Sequence, residues 1–370
     1  MEEIIALRHR LHRAAELSMQ ESETKEILMD FLRKEEKLQI TDRGRWFYAC
    51  CPSGVTGAPA IAFRADMDAL PMEDLQDLPY RSRNAGVSHR CGHDGHCAAL
   101  AGFARRAARM GLKADLYFIF QHAEEIGAGA GECAGLIREK GIGRIYAFHN
   151  WSGFSENSVA VKEDIVQCAS GGLTIHFIGK SAHASQPEDG RNPVQALAKL
   201  AQDIDRFLKE TPWKGMTMAT IVHMQAGAKD FGIAASRGEI SMTLRSFHDE
   251  DMQTLHAGIL ARAAELARQE GLLWETEESD VFPATVNDGE ETRRVVKIAG
   301  EMGLKVVHMD APFRSSEDFG YYQQACPGVI FYIGNGETWP QIHTEGYDFN
   351  DRILPTAIEL FERIARTNEK

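Results

Sequence analysis

The 370-residue sequence lacks an apolar run near the ~20 residues of a membrane-spanning helix, and no basic-then-apolar leader opens it. Basic residues are also comparatively few, because 41 Lys and Arg against 54 Asp and Glu give a net charge of −13. Nucleic acids and anionic membranes need basic patches, so this balance argues against both as partners. The seven cysteines are an odd number, which indicates free thiols in a reduced, cytoplasmic protein.

The length of the chain and its hydrophobic periodicity predict two domains. Strands and helices alternate up to about residue 162 and again around 292–302, which predicts an α/β fold with a mostly parallel sheet. Between them lies the order β-α-β-β-α-β of a ferredoxin-like unit. We therefore predict a discontinuous metal-binding catalytic domain of residues 1–167 and 283–370, interrupted by an inserted α+β domain of residues 168–282.

Four short apolar strands each lead to side chains that bind metals well. In an open parallel sheet, ligands bind beyond the carboxyl ends of the strands, so we expect these side chains to meet in one crevice. Cys91 and His93 lie between the first two strands, at the start of a predicted helix over 93–110. The strands and the residues that follow them are 60–63 with Asp66 and Asp68, 116–120 with Glu124 and Glu125, 145–148 with His149, and 329–333 with His343.

Five of these side chains are candidate metal ligands, one more than a single tetrahedral site takes. Each alone also fits a structural role, so the hypothesis depends on their joint occurrence. Two ions about 3.5–4 Å apart that share a bridging ligand would use all five. Thiolate and imidazole favour zinc, nickel or cobalt over magnesium, and manganese stays possible. Cys91 is a candidate bridge, and the helix start and a nearby cation would both favour its thiolate form. The candidates are Cys91, His93, Glu125, His149 and His343.

Three acidic residues beside this set have predicted roles of their own. Glu124 precedes the candidate ligand Glu125, so it is available to take a proton from the water that the metal activates and to pass it to a leaving amine. Asp66 and Asp68 would orient a ligand histidine or raise its basicity, although a turn or helix-capping role is an alternative for both.

Seven stretches carry the most distinctive residue combinations of the chain: Leu7–His12, Arg64–Pro71, His89–His96, Phe118–Glu125, Gly179–Ala184, Ser316–Phe319 and Asp348–Asp351. Together and in this order they resemble the M20 metallopeptidase family, in its amidohydrolase branch of aminoacylases, hippurate hydrolases and auxin-conjugate hydrolases. Three positions depart from that pattern. His122 and Ser152 stand where the family often has proline, and Thr344-Glu345-Gly346 replaces a common Ser-Pro, so substrate specificity does not transfer directly.

The resemblance implies a two-metal site made by the same five residues, with Glu124 as general base and Asp66 as its acidic partner, close to Asp68. It also implies that the inserted domain mediates homodimerisation and closes over the active site. His183 would polarise the scissile carbonyl, in many relatives from the partner subunit. Arg245 would hold the substrate carboxylate, and Asn192 is a weaker candidate for substrate contact.

We therefore expect a metal-dependent amidohydrolase that cleaves an N-acyl amino acid or a similar conjugate, with two divalent ions per subunit. A dipeptidase or carboxypeptidase built on the same site is one alternative. A non-catalytic metal-binding or amino-acid-binding protein is another, although such a protein has no need for Glu124 beside its ligands. A zinc nucleobase deaminase is disfavoured because neither Cys91 nor Cys326 lies in a Pro-Cys-x-x-Cys segment.

Overall fold

The structure, a computed structural model, describes residues 1–367 and divides into two compact units. The first unit comprises Met1–Val166, Thr285–Pro312 and the described residues from Glu317 onward. The second comprises Gln167–Ala284 and also Phe313–Ser316, a segment that the sequence analysis assigned to the other domain. The backbone of Ser315 explains this difference, because its carbonyl accepts a hydrogen bond of 3.0 Å from Cys168 N.

The strands of both units are bounded as follows, in chain order: β1 Gln39–Asp42, β2 Phe47–Cys51, β3 Ala60–Asp66, β4 Asp115–Gln121, β5 Ile142–Ser152, β6 Val159–Val161, β7 Asp164–Gln167, β8 Ala169–Ile178, β9 Ala182–His183, β10 Thr217–Ala226, β11 Ile233–Ala234, β12 Arg237–Ser246, β13 Leu273–Phe282, β14 Thr285–Asn287, β15 Val306–His308 and β16 Gly328–Gly336.

The helices are α1 Glu2–Arg13, α2 Ser22–Leu32, α3 His93–Ala107, α4 Gly129–Cys133, α5 Gly135–Lys140, α6 Val194–Glu210, α7 Asp249–Glu270, α8 Gly289–Glu301, α9 Gly320–Gln323 and α10 Leu354–Thr367, with 3₁₀ turns at Pro187–Asp189 and Asp351–Ile353. Across residues 1–367, none of these helices combines the length and apolarity that crossing a bilayer requires.

The main sheet of the first unit has the order β1-β2-β4-β3-β5-β16-β6-β15. Strands β4, β3, β5 and β16 run parallel to one another at its centre, whereas β1, β2 and β6 introduce antiparallel pairs. The central strands are buried almost throughout, as expected for strands that are covered on both faces. The predicted α/β fold with a largely parallel sheet is therefore confirmed.

Strand β5 differs from its predicted length. It continues to Ser152, so His149 lies within the strand rather than after it. The recorded pairing with β3 ends at Ala147, but β16 runs alongside β5 as far as Ser152 and keeps it extended. His149 therefore lies beyond the last residue at which β5 pairs with β3.

Helix α3 is fixed in place by close packing on both sides. It packs against the sheet and against helices α1 and α10, and nearly all its residues are buried. A Cβ atom added at Gly102 would lie 2.9 Å from a side-chain carbon of Ile4 and 3.0 Å from one of Ile358, which explains why small residues dominate this helix. Because the helix cannot shift, its first residue, His93, is fixed relative to the strand ends.

The second unit contains an antiparallel sheet with the order β10-β12-β8-β13 and two helices, α6 and α7, that cover one of its faces. Successive residues of β12 lie on opposite faces of the sheet. Met242 and Leu244 are buried among the helices, whereas Thr243 and Arg245 are only partly buried. The main elements follow the order β8, α6, β10, β12, α7, β13, and the short strands β9 and β11 pair separately.

Helix α1 carries two buried cations that tie it to the start of α3. Arg8 donates to Asp348 at 2.9 Å and to Asp351 at 2.9 Å. His12 contacts Asp94 through Nδ1 at 2.8 Å and Asp74 through Nε2 at 3.1 Å. Burial alone would lower the pKa of His12, but hydrogen bonds to Asp74 and Asp94 outweigh it and raise the pKa from 6.5 to about 9.

This pairing predicts a pH dependence of stability above neutrality. The folded protein binds the His12 proton more tightly than the unfolded chain, so its contribution is complete below pH 6.5 and is lost as the pH rises towards about 9. Its full size is at most about 3 kcal/mol. We expect the free energy of unfolding, measured by urea titration, to fall across this range and the fall to be smaller in His12→Gln. His9→Gln, on the same helix, is the control, and an unchanged slope in His12→Gln would contradict the assignment.

Candidate metal centre and active site

A tight turn places Cys91 and His93 on either side of Gly92. The φ angle of Gly92 is 102°, in the left-handed region that favours glycine. A Cβ atom there would lie 2.2 Å from Oδ1 of Asn150, so the position also requires the absence of a side chain. The turn therefore delivers Cys91 from the loop and His93 from the first turn of α3 to one place.

The five predicted ligands lie together in the first unit. The Sγ atom of Cys91 is 3.3 Å from Nε2 of His149 and 3.3 Å from Nε2 of His343. Glu125 lies 3.7 Å from Nε2 of His93 and 3.6 Å from Nε2 of His343. Donor atoms of Cys91, His93 and His149 lie within 4.8 Å of one another, as do those of Cys91, Glu125 and His343. Cys91 is the residue that these two groups share.

Backbone carbonyls set the orientation of two imidazole rings. Nδ1 of His93 lies 3.0 Å from the carbonyl oxygen of Asp68, and Nδ1 of His149 lies 2.7 Å from that of Asn150. A carbonyl can only accept, so each ring carries its proton on Nδ1 in its neutral form and directs the lone pair of Nε2 towards Cys91 and Glu125. This is the tautomer in which a histidine binds a metal through Nε2.

The chemistry of this donor set fits a divalent cation. Nε2 of His93 and Oε1 of Glu125 are buried and have no hydrogen-bond partner among the described residues. Burial raises the pKa of Glu125 to about 7, and Asp66 and Asp68 overcome the burial of His93 to raise its pKa to about 10. The cluster therefore gains stability from added positive charge, and its thiol, imidazole and carboxylate donors suit a transition metal.

The helix start by itself does not offset the surroundings of Cys91. Burial is the largest effect, and the carboxylates of Glu125 and Glu124 add to it, so the pKa of Cys91 lies well above its usual value. The partial charge of a helix N-terminus is too small to offset both effects. A cation bound between these groups would favour the thiolate, in agreement with the second part of the expectation.

Asp66 and Asp68 lie against the candidate ligands, as predicted. Oδ1 of Asp68 is 3.3 Å from Nδ1 of His93, and Oδ2 accepts a 2.9 Å hydrogen bond from the backbone N of Glu125. Asp66 contacts His96 at 2.7 Å and lies 3.5 Å from Nε2 of His93. Burial opposes ionisation of Asp66, but His93, Arg64 and His96 outweigh it, so its pKa lies well below the usual range.

Glu124 follows a strained turn and is buried. Ala123 has a φ angle of 49°, and its carbonyl accepts hydrogen bonds from the backbone N atoms of Ala128 and Gly129, which closes the turn after β4. Burial is the main cause of a pKa of Glu124 well above its usual value, and Glu317 adds to it. A buried carboxylate with a raised pKa is suited to accept a proton and to give it back.

Sequence reasoning did not assign a role to four buried residues of this centre. Arg64 contacts Asp66, Glu317 and Asp318, and His96 contacts Asp66. Their spacing offered a signal only for His96, which lies three residues after His93 and so on the same face of α3. Arg64 and Asp318 are 254 residues apart, so their contact has no local pattern in the sequence.

Two positions that depart from the family pattern lie close in sequence to the candidate residues Glu124 and His343. His122 is buried, and its Nε2 lies 3.2 Å from the carboxylate of Glu132. Burial lowers its pKa. Glu345 is exposed, and its backbone carbonyl accepts a 3.4 Å hydrogen bond from Gln76. The contact of His122 with Glu132 gives this position a partner outside the candidate ligand set.

The three remaining candidates belong to the second unit. His183 is exposed on β9, with Nδ1 2.7 Å from Oγ of Ser185. Arg245 donates through Nη1 to the carbonyl of Arg314 at 2.7 Å and to Oγ of Ser316 at 3.0 Å. The side-chain oxygen of Asn192 accepts a 3.0 Å hydrogen bond from Val194 N at the start of α6, which gives this residue a structural role.

Comparison with known proteins relates the whole chain to one family. The sequence profile of peptidase family M20/M25/M40 matches residues 62–367. The chain is 30% identical to N-acetylcysteine deacetylase of Bacillus subtilis, over 98% of this chain and 96% of that protein. It is 27% identical to an IAA-amino acid hydrolase of Arabidopsis thaliana, over 98% and 84% of the two proteins.

A solved structure gives the same relationship. The YXEP protein of Bacillus subtilis, a dinuclear metal binding peptidase from the M20 family, superposes with a TM-score of 0.83 at 27% identity, covering 99% of this chain and 97% of that one. The profile match, the relatives and the clustered metal-binding side chains lead to one conclusion. The chain belongs to peptidase family M20/M25/M40.

Proposed function

We propose that the protein is a metal-dependent amidohydrolase that cleaves the amide bond of N-acyl amino acids or similar amino-acid conjugates. The observation that carries the proposal is Glu124, a buried carboxylate directly beside a cluster of donors suited to a cation. The names of the similar Bacillus and Arabidopsis proteins, a deacetylase and an amino-acid conjugate hydrolase, support this substrate class.

The cofactor in this proposal is a pair of divalent ions, either zinc, manganese, cobalt or nickel. The dinuclear metal binding of the similar Bacillus peptidase supports the number of ions, and the mixture of sulfur, nitrogen and oxygen donors supports these metals. Cys91 would bridge them, because both donor groups contain it. When bound, the ions would supply an activated water and polarise the scissile carbonyl. The ligands would be Cys91, His93, Glu125, His149 and His343.

The acidic residues around the ligands would transfer the proton and orient the ligands. Glu124 would accept a proton from the attacking water and later give it to the departing amine nitrogen. Asp68 would hold His93 through its ring and Glu125 through its backbone, both of which it contacts. Asp66 would fix His96 and lie beside His93 as the acidic partner.

Second-unit residues would recognise the substrate. A guanidinium can bind a carboxylate through two parallel hydrogen bonds, so Arg245 would orient the α-carboxylate of an N-acyl amino acid. His183 is exposed and would donate to the scissile carbonyl oxygen, stabilising the negative charge that develops on it. Asn192 would make a weaker substrate contact in addition to its hydrogen bond with Val194.

We infer further that the protein is a cytoplasmic homodimer whose subunits meet through the inserted, ferredoxin-like domain, which also acts as a lid. Edge strand β10 supports this inference, because Val222 is 64% exposed and Met224 is 52% exposed on it. An exposed apolar edge strand is a template for pairing with a second chain. The opposite edge, β13, carries Glu275 and Glu277, whose charges would oppose such pairing. The seven free cysteines support a reducing compartment.

Metal loading is expected to stabilise the folded protein. An ion that binds only the folded state adds about 4 kcal/mol when its free concentration is a thousand times its Kd, so zinc or manganese should raise Tm in differential scanning calorimetry. Cys91→Ala removes the shared donor and should lose most of this rise. Cys326→Ala, which removes another buried thiol of the first unit, is the control. An equal rise in Cys91→Ala and wild type would exclude Cys91 as a ligand.

Adjacent glutamates offer a matched test of the proposed function. The substrates are N-acetyl and N-benzoyl amino acids and free dipeptides, supplied to protein reloaded with each candidate metal. Glu124→Gln should keep the metal, measured by atomic emission, but lose about 10²–10⁴-fold in kcat. Glu125→Gln should lose metal and activity together. Turnover of free dipeptides alone would redirect the proposal to a dipeptidase, and stoichiometric metal without turnover of any amide would indicate a binding protein.

Mixing two inactive variants tests whether His183 acts from the partner subunit. Glu124→Gln and His183→Asn, co-refolded in equal amounts, should form heterodimers with one intact site each and so recover about a quarter of wild-type activity. Co-refolding each variant with itself is the control. If His183 acts within its own chain, no activity will return, and light scattering would then establish whether dimers formed at all.

A further inference from the structure

A buried guanidinium contacts a group of carboxylates that lies next to Glu124. Arg64 is 2% exposed and donates to Asp66 at 2.9 Å and to Asp318 at 2.7 Å, and it forms an ion pair with Glu317 at 3.0 Å. Gln121 completes the group, because its Oε1 accepts from Nε of Arg64 at 2.8 Å and its Nε2 donates to Asp318 at 2.7 Å. Every side chain of this network is buried.

The carboxylates of this group are spaced as a cation site. One oxygen each from Glu124, Glu317 and Asp318 lies within 4.8 Å of the others, and all three residues are buried. Oxygen donors of this kind suit hard divalent cations such as Mn²⁺ and Mg²⁺. Glu124 also belongs to the group that contains His93 and Glu125, so the two potential cation positions share the proposed base.

Arg64 already supplies a positive charge to this second position. Its Nη2 atom contacts both Glu317 and Asp318, and Glu124 belongs to the same group, so three buried carboxyl groups lie around this one guanidinium. A guanidinium has five donors in fixed directions and no lone pair, so it can hold these carboxylates but cannot bind a water. Removing it would leave a pocket lined by carboxyl oxygen atoms without this cation.

We propose that Arg64 is a positioning residue that acts as a fixed internal cation. It occupies the position that Glu317 and Asp318 would otherwise offer to a divalent ion, and it thereby confines metal binding to the group containing Cys91. Glu124 is consequently not bound to a metal together with Glu317 and Asp318. The role of Glu124 as base rests on the proposed function, whereas the exclusion of an extra ion by Arg64 does not depend on it.

The test counts metal ions and needs no substrate. Wild type, Arg64→Met and Arg64→Lys are equilibrated with Mn²⁺, desalted and measured by atomic emission, with bound Mn²⁺ also followed by electron paramagnetic resonance. We expect Arg64→Met to bind one more Mn²⁺ per chain than wild type. Arg64→Lys keeps the charge and should bind the wild-type number. A variant that only loosened the fold would lose ions rather than gain one.

A matched control removes the oxygen donors together with the arginine. Arg64→Met combined with Glu317→Gln and Asp318→Asn should return to the wild-type number of ions, because Glu124 is then the only carboxyl left of the three. If Arg64→Met does not fold by circular dichroism, Arg64→Met with Asp318→Asn restores the charge balance and keeps an oxygen at each position, and it should gain the ion. An unchanged ion count in a folded variant of either kind would overturn the proposal. Failure of the amidohydrolase assay in wild type would leave these counts unaffected.

Discussion

The constraint on which the centre of this protein depends is the burial of many acidic groups in a small volume. Asp66, Asp68, Glu124 and Glu317 are all buried, and Glu125 is nearly so. Such a cluster is costly unless positive charge accompanies it. Cations of the chain, such as Arg64, supply part of this positive charge. A metal bound by the neighbouring donors would supply the rest, and the proposed chemistry depends on that metal.

The rigidity of the surrounding fold keeps these charges at fixed distances. Helix α3 cannot shift because neighbouring helices pack directly against its small residues, and Arg8 and His12 of α1 join its first turn to the segment after His343. A glycine at position 92 is equally necessary, since any side chain there would overlap Asn150. Residues far from the metal centre therefore determine whether Cys91, His93 and His343 can meet. This organisation agrees with the need to support a metal site with an ordered outer layer.

The two units carry complementary kinds of residues. The first contains the candidate donors for a cation and the proposed base, whereas the second contains Arg245 and His183, the residues proposed to bind substrate. The similar proteins of this family include a deacetylase and an amino-acid conjugate hydrolase.

The sequence by itself determined the α/β rhythm, the identity of the ligand types and the adjacency of Glu124 and Glu125, because these depend on periodicity and on neighbours along the chain. Tertiary structure alone decided that Arg64 meets Asp318, that Phe313–Ser316 joins the second unit and that β5 continues past His149. It also decided the direction in which the pKa of Cys91 shifts, since burial raises it. The physical reason is common to all four. Each depends on which distant segments pack together, and neither charge nor periodicity within one segment encodes that choice.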